Sequence, residues 1–175
     1  MSGEIDNNTN PAETPDAYAT LISDLNAAGA RYRLIDHVPE GQTERVSLLR
    51  GNDIAQAAKC LVVMVKIGKK QTRYVLAVVS GDARLDLAAV KELFGGTYVA
   101  FVATEKAEEL ARSVSGTVLP FTYHPKLELI VDPNLLIFSE FFFNAARLDR
   151  SIALNTEDYL RLATPRIEAI AISMP

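Results

Sequence analysis

Apolar residues along this chain recur with two different periods, and the switches between them mark out the elements. Tyr18, Leu21, Ile22 and Leu25 fall at i, i+3, i+4 and i+7, one face of a helix. Thr14 is read as its N-cap, Pro15 as its first residue and Gly29 as its stop. Tyr32 and Leu34 alternate with Arg31 and Arg33, so 31–37 reads as a strand. After the turn at Pro39-Glu40-Gly41, Thr43 starts a short helix carrying Val46 and Leu49 and ending near Gly51. Asn52 or Asp53 caps the next, through Ile54, Ala57 and Ala58. The run 60–67 is β-branched and apolar on both alternating faces, which predicts a central strand covered on both sides. Gly68-Lys69-Lys70-Gln71 turns it into a second strand at 73–79, a hairpin.

The second half alternates in the same way. Ser80-Gly81-Asp82 ends the hairpin, and Asp86 caps a helix with Leu87, Val90, Leu93 and Phe94, stopped by Gly95-Gly96. A strand follows at 97–102. Thr104 then caps a helix with Ala107, Leu110, Ala111 and Val114 on one face. Further strands are expected near Leu127–Val131, 141–143 and 151–154, a helix from Thr156 to before Pro165, and a closing strand at 167–172. With no internal repeat or linker, the reading is one α/β domain over 14–175 with a mixed sheet, preceded by a disordered polar tail at 1–13.

Composition narrows the function classes. The 175 residues are 49% apolar and 23% charged, a globular profile, and no apolar run approaches the ~20 residues of a membrane span. The N-terminus is acidic and polar rather than a signal peptide, and the single cysteine, Cys60, fits a reducing cytoplasm. A net charge of −4 argues against broad binding to DNA or RNA, which needs many phosphate contacts. Two histidines and one cysteine give no donor set for zinc, and no Walker loop, dinucleotide fingerprint or nucleophile elbow is present. No metal or cofactor is expected.

Two stretches carry candidate chemistry. Lys59 stands where a polar helix end passes into the most apolar strand, and an ammonium there needs solvent, a partner or a ligand. Its neighbour Cys60 points to the opposite face and reads as a buried, inert thiol. The second stretch is Gly116-Thr117-Val118-Leu119-Pro120-Phe121, a short stiff loop. Its N–H groups, at Thr117 and its neighbours, can aim at a carbonyl or oxyanion. Val118, Leu119 and Phe121 are candidate pocket walls, and His124 is a candidate base or a turn residue. His37 reads as structural. Lys66, Lys69, Lys70 and Arg73 form either a solvated turn or a phosphate-contacting surface. Phe138, Phe141, Phe142 and Phe143 read as core rather than a base-stacking platform.

Taken together, Lys59 in AQAAKCLVV, the Gly-Asp of SGDARLD, GTVLPF and the Asp of LIVDPNLL resemble the YbaK/ProX family. These are trans-editing domains related to the insertion domain of prolyl-tRNA synthetase. FTYHPKLELIVDP, FNAARLDRSIAL and TEDYLRLATP look most like its YeaK branch, and the resemblance spans 17–165. It implies a mixed, curled sheet or pseudo-barrel flanked by helices. It also implies deacylation of mischarged aminoacyl-tRNA, gripped at its acceptor end, with Ser, Ala, Cys or Thr as the acyl group. A synthetase would be a further partner. By the same resemblance Lys59, Gly116 and Pro120 match the family lysine and loop, and Asp132 matches the acidic position after the loop strand. Asn144 falls where some relatives carry a histidine, so a histidine-assisted mechanism is not transferred. Two alternatives stand beside this: a module that binds tRNA ends or nucleotides without turnover, and a hydrolase of other small esters.

Overall fold

The computed structural model describes residues 16–174. In chain order these form α1 (Ala17–Ala27), β1 (Tyr32–Asp36), α2 (Thr43–Arg50), β2 (Ala58–Ile67), β3 (Gln71–Ser80), β4 (Ala83–Leu85), α3 (Leu87–Leu93) and β5 (Tyr98–Phe101). They continue as α4 (Thr104–Ala111), β6 (Leu127–Val131), β7 (Glu140–Asn144), β8 (Arg150–Asn155), α5 (Thr156–Ala163), β9 (Arg166–Ile167) and β10 (Ala171–Ser173). Single 3-10 turns occupy Ile54–Gln56 and Pro133–Ile137. The expected tail at 1–13, and Thr14 and Pro15 as the opening of the first helix, lie outside the described residues. Asp16 is the residue that caps α1, its carboxylate accepting the Tyr18 N–H at 3.0 Å.

The central hairpin forms as the pattern predicts. Ile67 pairs with Gln71 across Gly68-Lys69-Lys70, and Gly68 takes φ +63°, a turn conformation that side chains disfavour. Both strands are longer than expected and pair from Ala58↔Ser80 outward. They are the centre of a five-stranded sheet in the order β5-β2-β3-β6-β9. β2 is antiparallel to β3 and β5, whereas β3 runs parallel to β6, so the sheet is mixed. A three-stranded antiparallel sheet, β1-β8-β7, and the pair β10-β4 complete the strands among the described residues. None of these sheets closes into a barrel, which corrects the pseudo-barrel alternative.

Each face of the five-stranded sheet has its own core. Val62, Leu76 and Val78 pack with Leu21 and Leu25 of α1, Leu110 of α4, Phe141 and Phe143 of β7, Ile152 and Leu154 of β8 and Tyr159 of α5. On the opposite face Val63, Val65, Val75 and Val79 pack with Val90 of α3, Leu85 of β4 and Ile170. Burial on both faces is why 60–67 shows no polar alternation.

Three expectations need correction. The residue at the N-cap of α4 is Ala103, with Thr104 already helical, and no side chain caps this helix. The element after Asp53 is one 3-10 turn, not a helix through Ala58. The single closing strand at 167–172 is two strands in different sheets, β9 beside β6 and β10 beside β4. The buried carboxylate of Asp132 causes the break: it accepts the N–H groups of Ile170 at 2.9 Å and Ala171 at 3.0 Å, where the chain leaves one sheet for the other.

Candidate active site

β5 pairs with β2 only from Val63 to Lys66, and Ala57 makes an isolated bridge to Phe142. Between these contacts one edge of β2 has no paired strand among the described residues, and a cavity of about 450 Å³ lies there. Ala58, Lys59, Cys60 and Leu61 of β2 line one side. Thr43, Glu44, Val46 and Arg50 of α2, with Gly41 and Gln42 before it, line another. Gly116 and Val118 of the loop, Phe143 and Asn144 of β7, Gly81 and Met174 complete the wall.

Lys59 is the second residue of β2 and is half-buried. Its ammonium donates to the Ala83 carbonyl, so the strand carries the charge and β4 fixes its end. Burial lowers its pKa, while Asp82 and Glu44 act in the opposite direction and favour the charged form. Gly81 lets these elements meet: a Cβ there would stand 2.6 Å from the Ile54 carbonyl oxygen and 2.8 Å from Thr43 Cγ2. Cys60 lines the same cavity, but burial pushes its thiol well above the usual range, so it stays protonated and is a poor nucleophile.

Gly116 has φ +84°, and a Cβ on it would lie 2.9 Å from Gly41 Cα. Only glycine allows the two loops to touch here. Asn144 ties the same two segments, its Nδ2 donating at 2.9 Å both to the Gly116 carbonyl and to the Glu40 carbonyl. Behind it, Ser151 Oγ donates to Asn144 Oδ1 at 3.0 Å and lies 2.7 Å from His37 Nε2. His37 Nδ1–H donates to the Val38 carbonyl at 2.8 Å. His37 is thus structural, as expected, but inside the scaffold of the site.

The loop residues divide between cavity and core. The Thr117 N–H and Oγ1–H both donate to the Val114 carbonyl, at 3.0 and 2.7 Å, and the residue is buried. Thr117 is therefore not a free oxyanion donor, a correction to the expectation. Among the described residues no acceptor meets the N–H groups of Gly116, Val118 or Leu119, and of these three residues Gly116 and Val118 line the cavity. Leu119 is buried in the core and not a wall. Pro120 holds the loop from behind, its carbonyl accepting the Tyr159 hydroxyl at 2.7 Å. Phe121 packs edge-on against Tyr159, at 5.2 Å between ring centres, and faces a separate hollow between α1 and α5.

Two other candidates lie outside the cavity lining. His124 Nδ1 accepts the Lys126 N–H at 3.1 Å, a local turn. Asp132 caps the 3-10 turn after β6, accepting from Asn134 N at 2.9 Å, besides its clamp on Ile170 and Ala171. The basic group at the hairpin turn is at the opposite end of β2 from Lys59, and Arg73 is paired with Glu128. Phe141, Phe142 and Phe143 are buried, as the core reading expects, whereas Phe138 is only half-buried.

Sequence reasoning missed Arg50, Ser151, Glu44 and Gly41. Arg50 and Ser151 carry no motif, and a cation ending a helix is ordinary, so nothing local distinguished them. The Gly41 contact is with a residue 75 positions away, which no spacing reveals.

A family model described as the aminoacyl-tRNA editing domain matches residues 37–162. The chain is 40% identical over 148 residues to the Multifunctional Ser/Thr-tRNA deacylase ProXp-y of Escherichia coli K12, covering 84% of this chain and 88% of that protein. Among solved structures, that of a hypothetical protein superposes with a TM-score of 0.77 at 21% identity, covering 87% of this chain and 99% of the other. A structure assigned as a trans-editing enzyme for prolyl tRNA synthetase gives 0.73 at 21% identity, covering 90% and 98%. At these identities the two structures speak to the fold.

Proposed function

The chain belongs to the aminoacyl-tRNA editing domain family, and from that premise we propose that it hydrolyses the ester of mischarged aminoacyl-tRNA in trans. The name of the Escherichia coli relative supports Ser and Thr as acyl groups, within the wider small-residue set of Ser, Ala, Cys and Thr. The observation that carries the reading is the meeting of Lys59 and the Gly116 loop on one cavity, although they lie far apart in the chain.

The reaction asks little of the protein. Water attacks the ester carbonyl carbon, the bond to the ribose oxygen breaks, that oxygen takes a proton, and the amino acid leaves as a carboxylate. Ribose already activates the ester, and the substrate's own neighbouring hydroxyl can assist. The Val118 N–H is the donor for the developing oxyanion, in the role first expected of Thr117. Loss of such a donor typically costs about 10²–10³ in rate. Lys59 holds the terminal adenosine and orients the ester. The pocket sieves by size, one methylene being worth about 1–3 kcal/mol. Holding only the acceptor end reconciles a net charge of −4 with an RNA substrate. The protein acts in the cytoplasm, where charged tRNA is made, and a synthetase that makes the mischarged product is its natural partner.

The test is a deacylation panel with tRNAs carrying Ser, Thr, Ala and Cys, run on wild type and Lys59→Ala. Lys59→Ala is expected to lose at least ~10²-fold in kcat/KM while keeping its circular dichroism, the scale of a lost positioning contact. Unchanged turnover would remove Lys59 from the mechanism. Tight binding of tRNA ends without cleavage would favour the binding module, and equal turnover of free aminoacyl esters would make RNA irrelevant.

A further inference from the structure

Arg50 is the last residue of α2 and lines the cavity together with Lys59. Arg31, Arg33, Arg73, Arg147, Arg150 and Arg166 each hold a carboxylate, and Arg45, Arg84 and Arg112, which hold none, are exposed to solvent. Arg50 holds none among the described residues. All its acceptors are neutral: Nε donates to Asn52 Oδ1 at 2.9 Å, Nη1 to Ser151 Oγ at 3.2 Å and Nη2 to Ser47 Oγ at 3.4 Å. Its guanidinium carbon lies 5.9 Å from the centre of the Phe142 ring. Burial lowers its pKa to about 10, so it remains charged at neutral pH. The cavity's carboxylate, Glu44, acts on Lys59.

Counting protons shows what remains. A guanidinium has five N–H groups, and three are engaged. One is left on each terminal nitrogen. Two parallel N–H groups on a planar fork match two oxygens of a phosphate. A desolvated cation without a counter-ion is costly in free energy, and a bound anion would offset that cost. The plane is fixed before ligand arrives, by two serines, Asn52 and Phe142.

We propose that Arg50 is the phosphate site of this cavity, taking the 5′-phosphate of the substrate's 3′-terminal nucleotide in a two-pronged contact and leaving Lys59 to the ribose. This rests on the deacylase reading and adds to it a division of labour between the two cations. Arg50 is a binding residue here and touches no reacting atom.

The experiment uses two minimal substrates, 3′-O-seryl-adenosine with and without a 5′-phosphate. The quantity read is the ratio of their kcat/KM values within one protein preparation, which is independent of the folded fraction. Wild type should prefer the phosphorylated ester by about 10- to 100-fold, the worth of a charged hydrogen-bonding contact. In Arg50→Gln, which keeps hydrogen-bonding capacity but no charge, the ratio should fall to near one, and Arg50→Lys should retain part of it. A preference that survives in Arg50→Gln, or is missing in wild type, overturns the proposal. If Arg50 only ends the helix, Arg50→Gln would lower thermal stability and leave the ratio unchanged, which also overturns it. A wild type that cleaves neither ester nor charged tRNA would instead overturn the deacylase reading.

Discussion

At the scale of single residues, one wall of the cavity depends on a glycine. Gly116 occupies the left-handed region and lies against Gly41, so the two loops that form a wall of the cavity are in backbone contact. Gly116→Ala meets two penalties. An L-residue in this region costs about 1–2 kcal/mol. Its methyl group must also displace Gly41, because the neighbouring atoms are main chain rather than the end of a flexible side chain. Urea unfolding should therefore show a loss of at least ~1 kcal/mol, and kcat/KM per folded molecule should fall as the wall shifts. A variant as active and as stable as wild type would mean that the close approach is dispensable. The same scale explains why Thr117 fails as a donor: its short side chain and its own N–H both close on Val114.

At the scale of elements, buried carboxylates hold segments that hydrophobic packing alone would not position. Asp132 joins the end of β6 to the segment leading into β10. Asp158, in the first turn of α5, accepts the Arg31 N–H at 2.8 Å and Arg31 Nε at 3.0 Å, fixing α5 to the start of β1. The Arg31 contacts pull its pKa from 3.8 to about 2. A depressed folded-state pKa means that the carboxylate stabilises the fold above its unfolded value. That contribution is lost as pH falls toward the folded value. The stability gap between wild type and Asp158→Asn should thus be full at neutral pH and shrink between 3.8 and about 2. Chemical denaturation across that window reads it, and a gap that stays constant with pH would show that the charge is not what holds α5.

At the scale of the whole molecule, the acidic balance and an RNA substrate are compatible when only the end of the RNA is held, by the two cations of one cavity. Lys59 and Arg50 share one cavity, while the basic hairpin turn lies at the far end of the central strands. Affinity for single-stranded RNA falls with salt by about 0.7 in log K per phosphate neutralised, per unit of log salt concentration. One to three phosphate contacts, confined to the terminal nucleotides, predict a slope of roughly −0.7 to −2 for charged tRNA. Filter binding or KM measured across a salt series checks it. A slope steeper than about −4 would mean that the tRNA body is held as well.

Most of the order of helices and strands, the central hairpin, the cap of α3 and the double-sided apolar strand were legible from the chain, because period, caps and turns are local properties; β4 and the split of the closing strand were not. The family was legible as well, since Lys59 and the GTVLPF loop survive as strings. Tertiary structure alone decided that Leu119 is buried, that Phe121 faces a separate hollow, and that Asp132 clamps the chain rather than faces the cavity. It also brought Arg50 and Ser151 to the site. Each of these depends on a partner dozens of residues away, and hydrogen bonds and contacts of that kind leave no period in a sequence.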